Sequence, residues 1–143
     1  MSLEQQNKTL IRRYVETWNQ GDLEALASFW SPDMLHYTRS SAHSAEAVKG
    51  IIGSFMRAFP DLQWEINDIV AEGDKVVTRM TAQGTHSGDY MGVSATGNKI
   101  NCTVMGIARF DDGKIVEHWG VTDELAMIAQ IGLLPREYLA AMI

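Results

Sequence analysis

Leu3, Leu10, Ile11, Tyr14, Val15 and Trp18 recur at three- and four-residue spacings with polar residues between them. That period predicts an amphipathic helix over residues 3–19. Gly21 ends it, and Asp22 is placed to cap a second short helix whose apolar face is Leu23, Leu26, Phe29 and Trp30, stopped by Ser31-Pro32. Residues 34–38 lean to strand, and Ser44 caps a third helix with Val48, Ile51, Ile52, Phe55 and Phe59 on one face and Pro60 as its stop. From Leu62 the period changes to two, with Leu62, Trp64 and Ile66 on one side and Gln63, Glu65 and Asn67 on the other. After a Glu72-Gly73-Asp74 turn, residues 75–83 alternate as the return strand. Residues 84–97, rich in Gly, Ser and Thr, hold His86, Asp89, Tyr90 and Met91. A loop of that length suggests a function, such as a flap over a cavity. Leu125, Met127, Ile128 and Ile131 predict a short helix ending at Gly132, and Pro135 opens a last turn running to Ile143. Helices followed by antiparallel strands predict one α+β domain over 1–143, its sheet wrapped around the helices with room for a cone-shaped cavity.

The hairpin between these last segments carries the chemistry. Residues 101–110 and 114–123 flank Asp111-Asp112-Gly113, which suits a three-residue loop pairing Phe110 with Lys114, His118 with Gly106 and Gly120 with Val104. One face then carries Cys102, Val104, Gly106, Ala108, Val116, His118, Gly120 and Thr122, nearly all small. The other carries Thr103, Met105, Ile107, Glu117, Trp119 and Val121. Glycine inside a strand marks close approach of a ligand or of another backbone, so the small face is either the floor of a cavity or the seat of a tightly packed helix.

Charge and cysteine count narrow the partners. Twelve basic against eighteen acidic residues give a net charge of -6 with no basic cluster, which disfavours nucleic acid and anionic membranes. The lone Cys102 excludes an internal disulfide and reads as a small buried hydrophobe; it fits a reducing, cytoplasmic setting. The first residues show no secretory pattern, and no apolar run reaches membrane-spanning length.

The segments Gly84-Thr85-His86-Ser87-Gly88-Asp89-Tyr90-Met91-Gly92-Val93, Thr96-Gly97, Arg109-Phe110-Asp111-Asp112-Gly113-Lys114-Ile115-Val116-Glu117-His118-Trp119, Asp123 and Gln130-Ile131-Gly132 resemble the SnoaL-like polyketide cyclases, or ester cyclases, of the NTF2-like superfamily. The Asn19-Gln20-Gly21-Asp22 turn and the Phe59-Pro60-Asp61 break extend the likeness along the whole chain. The resemblance implies an NTF2-like cone with an internal pocket, and an intramolecular aldol closure without metal or organic cofactor. It also implies an acid/base aspartate at position 120 and a histidine at position 106; here both are glycine. Function within this fold has to be argued from the site.

An aldol closure needs a base for an activated C–H and a donor for the developing alkoxide. His118 and Asp123 are the candidate acid/base pair. The candidate substrate-binding residues are Trp30, His36, Arg79, Tyr90, Met91, Cys102, Val104, Gly106 and Gly120; an ion-pair role competes for Arg79, and packing competes for Tyr90 and Met91. Nothing in the histidine spacing demands a metal. Three readings follow: a cofactor-independent cyclase or isomerase acting on a hydrophobic polyketide-like carbonyl compound, a binding or accessory protein with the same pocket, and an interaction domain dimerising through the bulky sheet face. Such a homodimer is expected in any case, because Met105, Ile107, Trp119 and Val121 have no evident cover.

Overall fold

Ser2 opens the chain with a capping box: its hydroxyl accepts the Gln5 N–H, and the Gln5 side-chain oxygen accepts the Ser2 N–H. In the computed structural model, which describes residues 1–141, this starts α1, Leu3–Asn19. Asp22 caps α2, Leu23–Ala27, and Ser44 caps α3, Ala45–Ala58. The strands are β1 (Trp30–Tyr37), β2 (Ser41–Ala42), β3 (Gln63–Glu72), β4 (Lys75–Thr85), β5 (Lys99–Asp111) and β6 (Lys114–Thr122). Two short helices, α4 (Glu124–Gln130) and α5 (Arg136–Ala141), follow. Met142 and Ile143, included in the expected last turn, lie outside the described residues.

The six strands form one open, curved sheet in the order β2-β1-β6-β5-β4-β3. The expected α+β architecture is present, with one correction: the sheet is mixed, because β1 runs parallel to β6. Trp30 also opens a strand rather than closing a helix. Ser31-Pro32 sits where the β1–β6 register shifts, the kind of place where a residue without an N–H is tolerated.

The central hairpin differs from its expected register by two residues. Asp112 and Gly113 both take positive φ, 50° and 75°, so the loop has two residues and Asp111 pairs with Lys114. A bulge beside Arg109 and Phe110 then leaves Val116 as the extra residue. Gly120 therefore faces Gly106, and His118 faces Ala108. An even slip keeps each side chain on its expected face, except that Ile115 turns inward in place of Val116.

Helix α1 packs on β3 and β4, and α3 packs on β1. Their apolar faces close the core around Ile11, Val15, Leu26, Met34, Val48 and Ile52. A second cluster of Ala58, Phe59, Leu62, Ala82, Ile100, Cys102, Met127 and Ile131 fills the end of the sheet beneath α4. The glycine-rich segment reduces to a loop over 86–98, because β4 and β5 reach further than the alternation predicts. It is anchored at its base: His86 is fully buried, its Nδ1 accepts the Thr96 N–H, and its backbone exchanges hydrogen bonds with Gly97 and Asn98.

Candidate active site on the cavity floor

The parallel pairing of β1 with β6 makes His36 and His118 direct partners in the sheet. Paired positions on parallel strands project to the same side, so both imidazoles stand on the inner face. Their Nδ1 atoms are 3.3 Å apart, with ring planes inclined by 11°. The two facing glycines supply the space. A Cβ at Gly106 would lie 3.2 Å from His118 Nε2, and one at Gly120 would lie 3.0 Å from His118 Cε1 and 3.2 Å from the Thr38 methyl. The glycines thus admit a close approach, and what approaches is the ring of His118.

Above this floor lies a cavity of about 690 Å³, within the usual range for small-molecule sites, roughly 300–1,000 Å³. Val104, Gly106, Ala108, Ile115, His118, Gly120 and Thr122 form the hairpin's share of it. Helix α1 contributes Tyr14 and Trp18, α3 a wall of small and apolar residues, and β1 Trp30, Met34 and His36. Arg39, Ser40, Gly50 and Met91 line it and are exposed, which locates the mouth between α3, the β1–β2 turn and the 86–98 loop.

Burial sets the electrostatics inside. It pushes the His118 imidazole down to about 3, and the proximity of His36 acts in the same direction; burial lowers His36 as well. Both rings are neutral at pH 7. Trp30 Nε1 donates to the Tyr14 hydroxyl at 3.1 Å, and burial raises the Tyr14 pKa, so that phenol keeps its own proton and can donate it in a hydrogen bond. At the mouth, Arg39 Nε donates to Glu124 Oε1 at 2.9 Å, and the Tyr90 phenol lies near enough to the guanidinium for each to influence the other's titration.

The structure gathers Trp30, His36, Tyr90, Met91, Val104, Gly106, His118 and Gly120 around this one cavity. It leaves out three other candidates. Asp123 is the N-cap of α4, accepting the Ala126 N–H, and does not line the cavity with His118. Arg79 points to the outer face, where its Nε meets Asp68 Oδ2 at 2.6 Å, because alternation along β4 turns Thr78 and Met80 inward instead. Cys102 belongs to the second core cluster, and burial raises its thiol to about 11, which keeps it protonated. The residues that sequence reasoning missed are Tyr14, Thr78, Arg39 and Glu124. Tyr14 was visible only as a member of the apolar face of the first helix and Thr78 only as one residue of an alternating strand, and nothing local marks Arg39 and Glu124, which are 85 residues apart.

Residues 8–131 match the family of SnoaL-like polyketide cyclases. The chain belongs to that family. Among curated SnoaL-like relatives, the aklanonic acid methyl ester cyclase DnrD of Streptomyces peucetius is 28% identical, with 86% of this chain and 88% of the relative covered. Among solved structures, AclR of Streptomyces galilaeus, a proposed hydroxylase, is 41% identical with a TM-score of 0.80, covering 90% of this chain and 96% of AclR. IdmH of Streptomyces antibioticus, a proposed polyketide cyclase, is 36% identical with a TM-score of 0.76 over 87% of this chain and 97% of its own. In this SnoaL-like chain the two positions where the resemblance expects an aspartate and a histidine are the two glycines beside the His118 ring.

Proposed function

We propose that this SnoaL-like protein is a cofactor-independent enzyme that closes a ring in a hydrophobic, polycyclic polyketide-type carbonyl compound by acid/base chemistry of the intramolecular aldol kind. The observation that carries the reading is the His36–His118 pair on the floor of an otherwise largely apolar cavity. His118 takes the proton from carbon activated by adjacent carbonyls, and the Tyr14 hydroxyl, oriented by Trp30, donates to the carbonyl oxygen that gains charge. Trp30, Tyr90 and Met91 offer broad apolar surface to a flat ligand. The named activity of the DnrD relative supports a polyketide ester as substrate. We further propose that two copies pair through the outer sheet face, where Met105 is 49% and Val121 73% exposed; a monomer in sedimentation at micromolar concentration would count against this.

A second reading has the likeness to AclR in its favour. Deprotonation in the same cavity would then give a carbanion for oxidation by dioxygen rather than for ring closure, one oxygen atom entering the new C–O bond and the other leaving as water with two electrons and two protons from an added reductant such as a reduced nicotinamide or flavin. Incubation with aklanonic acid methyl ester in air, with and without a reduced nicotinamide or flavin, followed by liquid chromatography and mass spectrometry separates the two, since aldol closure gives an isomer at a new retention time without the reductant and hydroxylation adds one oxygen atom only with it. Tight binding with no product, unchanged in His118→Gln, would instead favour a binding protein.

A further inference from the structure

A histidine pushed down to about 3 is a poor base near neutrality if it works alone, because the imidazolium it must form is strongly disfavoured where it stands. The neighbouring ring removes that difficulty. Two neutral imidazoles with Nδ1 atoms 3.3 Å apart cannot both be bare or both be protonated at those atoms without losing the contact, so one Nδ1 donates and the other accepts. The other ends of the rings are then opposite in kind: one Nε2 is bare and the other carries a proton. His118 Nε2 lies over Gly106, whose sheet partner on β4 is Thr78, and takes no protein hydrogen bond among the described residues.

We infer that His36 is a positioning residue that holds His118 in the Nδ1–H tautomer, leaving His118 Nε2 bare toward the cavity, and that it accepts the shared Nδ1 proton when Nε2 takes one from the substrate. The catalytic half of this inference rests on the acid/base reading above; the tautomer arrangement does not. The step balances. The substrate C–H bond breaks, its electron pair enters the enolate, and the proton bonds to His118 Nε2. The Nδ1 proton crosses to His36 Nδ1, so the positive charge resides on His36 and not on the ring over the glycines. On ring closure the shared proton returns and Nε2 delivers its proton to the new alkoxide. Among the described residues, the other titratable or charged groups lining the cavity are Tyr14 from α1, Arg39 beyond the end of β1, Tyr90 from the 86–98 loop and Glu124 from α4; α3, β4 and β5 contribute none. None of these makes a hydrogen bond to either ring among the described residues.

The test is a two-bond nitrogen–proton correlation spectrum of the nitrogen-15-labelled protein at pH 7, which reads each tautomer directly and needs no substrate. The expected result is Nδ1–H for His118 and Nε2–H for His36. In His36→Phe, His118 should revert to the Nε2–H form usual for a free imidazole, while His36→Asn, whose side-chain oxygen can accept, should retain Nδ1–H. With aklanonic acid methyl ester, His36→Phe should lower kcat at least tenfold with little change in KM, and His36→Asn should recover part of it. Nε2–H on His118 in the wild-type protein overturns the inference, and that spectrum alone decides should His36→Phe fail to fold. Opposite tautomers in a protein whose turnover survives His118→Gln would leave the arrangement standing and sink the catalytic reading.

Discussion

The β5–β6 hairpin has two faces made from alternating residues of the same strands, and they differ in almost every physical respect. Inward, Gly106, Ala108 and Gly120 give up volume, and two neutral imidazoles share the space. Outward, Arg109 and Glu117 form an ion pair at 3.0 Å, Tyr37 stacks on Trp119, and Met105 and Val121 stand exposed. Charge is kept where water can solvate it, and the groups that remain on the inner floor stay neutral because burial penalises the charged form. The outer face can change by single residues at small cost, whereas the inner face is constrained by the ring that its glycines accommodate.

Substitution of adjacent residues on opposite faces should separate the two most sharply. His118→Gln is expected to lower turnover by roughly 10²-fold or more, the usual contribution of a positioned acid or base, with the melting temperature nearly unchanged. Glu117→Gln, one residue away, should leave turnover intact. Steady-state kinetics of the two variants on aklanonic acid methyl ester checks the pair, and equal losses would break the distinction between the faces.

Volume is the next lever. Gly120→Ala puts a Cβ 3.0 Å from His118 Cε1, so denaturant unfolding should show a loss of about 1–3 kcal/mol, the range for overpacking, together with a displaced imidazole. Val121→Ala, at a position 73% exposed, should stay within about 0.5 kcal/mol. Gly120→Asp carries the same clash as the alanine and adds a charge, so it should destabilise further rather than simply restore the acid that the resemblance expects.

Acid should act on the inner face first. His118 has a folded-state pKa of about 3, well below its unfolded value near 6.5, so between these limits the unfolded chain binds the extra proton. Stability should therefore rise with pH through that window and level off above it, with a slope from this group of at most about 1.4 kcal/mol per pH unit. His36, lowered in the same direction by burial, adds to the effect below its unfolded value. Unfolding measured from pH 4 to 8 in the wild type and His118→Gln should show a shallower slope in the variant.

Much of this was legible because periodicity reports which face a residue takes, and an even register slip does not alter faces. Helix α1, the cap at Ser44, the break at Pro60 and the small inner face all follow from spacing and caps. The slip itself came from Asp112-Gly113 forming the two-residue turn that an Asp-Gly pair favours, rather than a three-residue loop, together with a bulge at Val116. The partner of His118 was beyond reach for a different reason. His36 lies 82 residues away on a strand whose parallel pairing no local pattern encodes, whereas Asp123, near in sequence, is engaged in capping α4. Asp123→Ala should therefore cost about 1 kcal/mol as a lost cap, without altering the pH dependence of turnover.

The smallest expected effects come from two ion pairs of similar exposure on opposite sides of the wall. Arg39–Glu124 stands at the cavity mouth, and Arg79–Asp68 on the outer sheet face; the arginine side chains are each 47% exposed. Solvent screening limits such pairs to about 0–1 kcal/mol, so double-mutant cycles on the two should return similarly small couplings that shrink further with added salt. Their consequences for ligands should diverge. Arg39 and Glu124 line the cavity mouth together with Tyr90 and Met91 of the 86–98 loop, so Arg39→Gln removes the ion pair that ties the β1–β2 turn to α4 beside that loop. Stopped-flow quenching of the cavity tryptophans by a polycyclic ligand should show faster entry and faster release in Arg39→Gln, with affinity changed only a few-fold. Arg79→Gln should leave both rates as they are. Unchanged rates in both variants would mean that the mouth pair, like the outer one, is only a solvated surface contact.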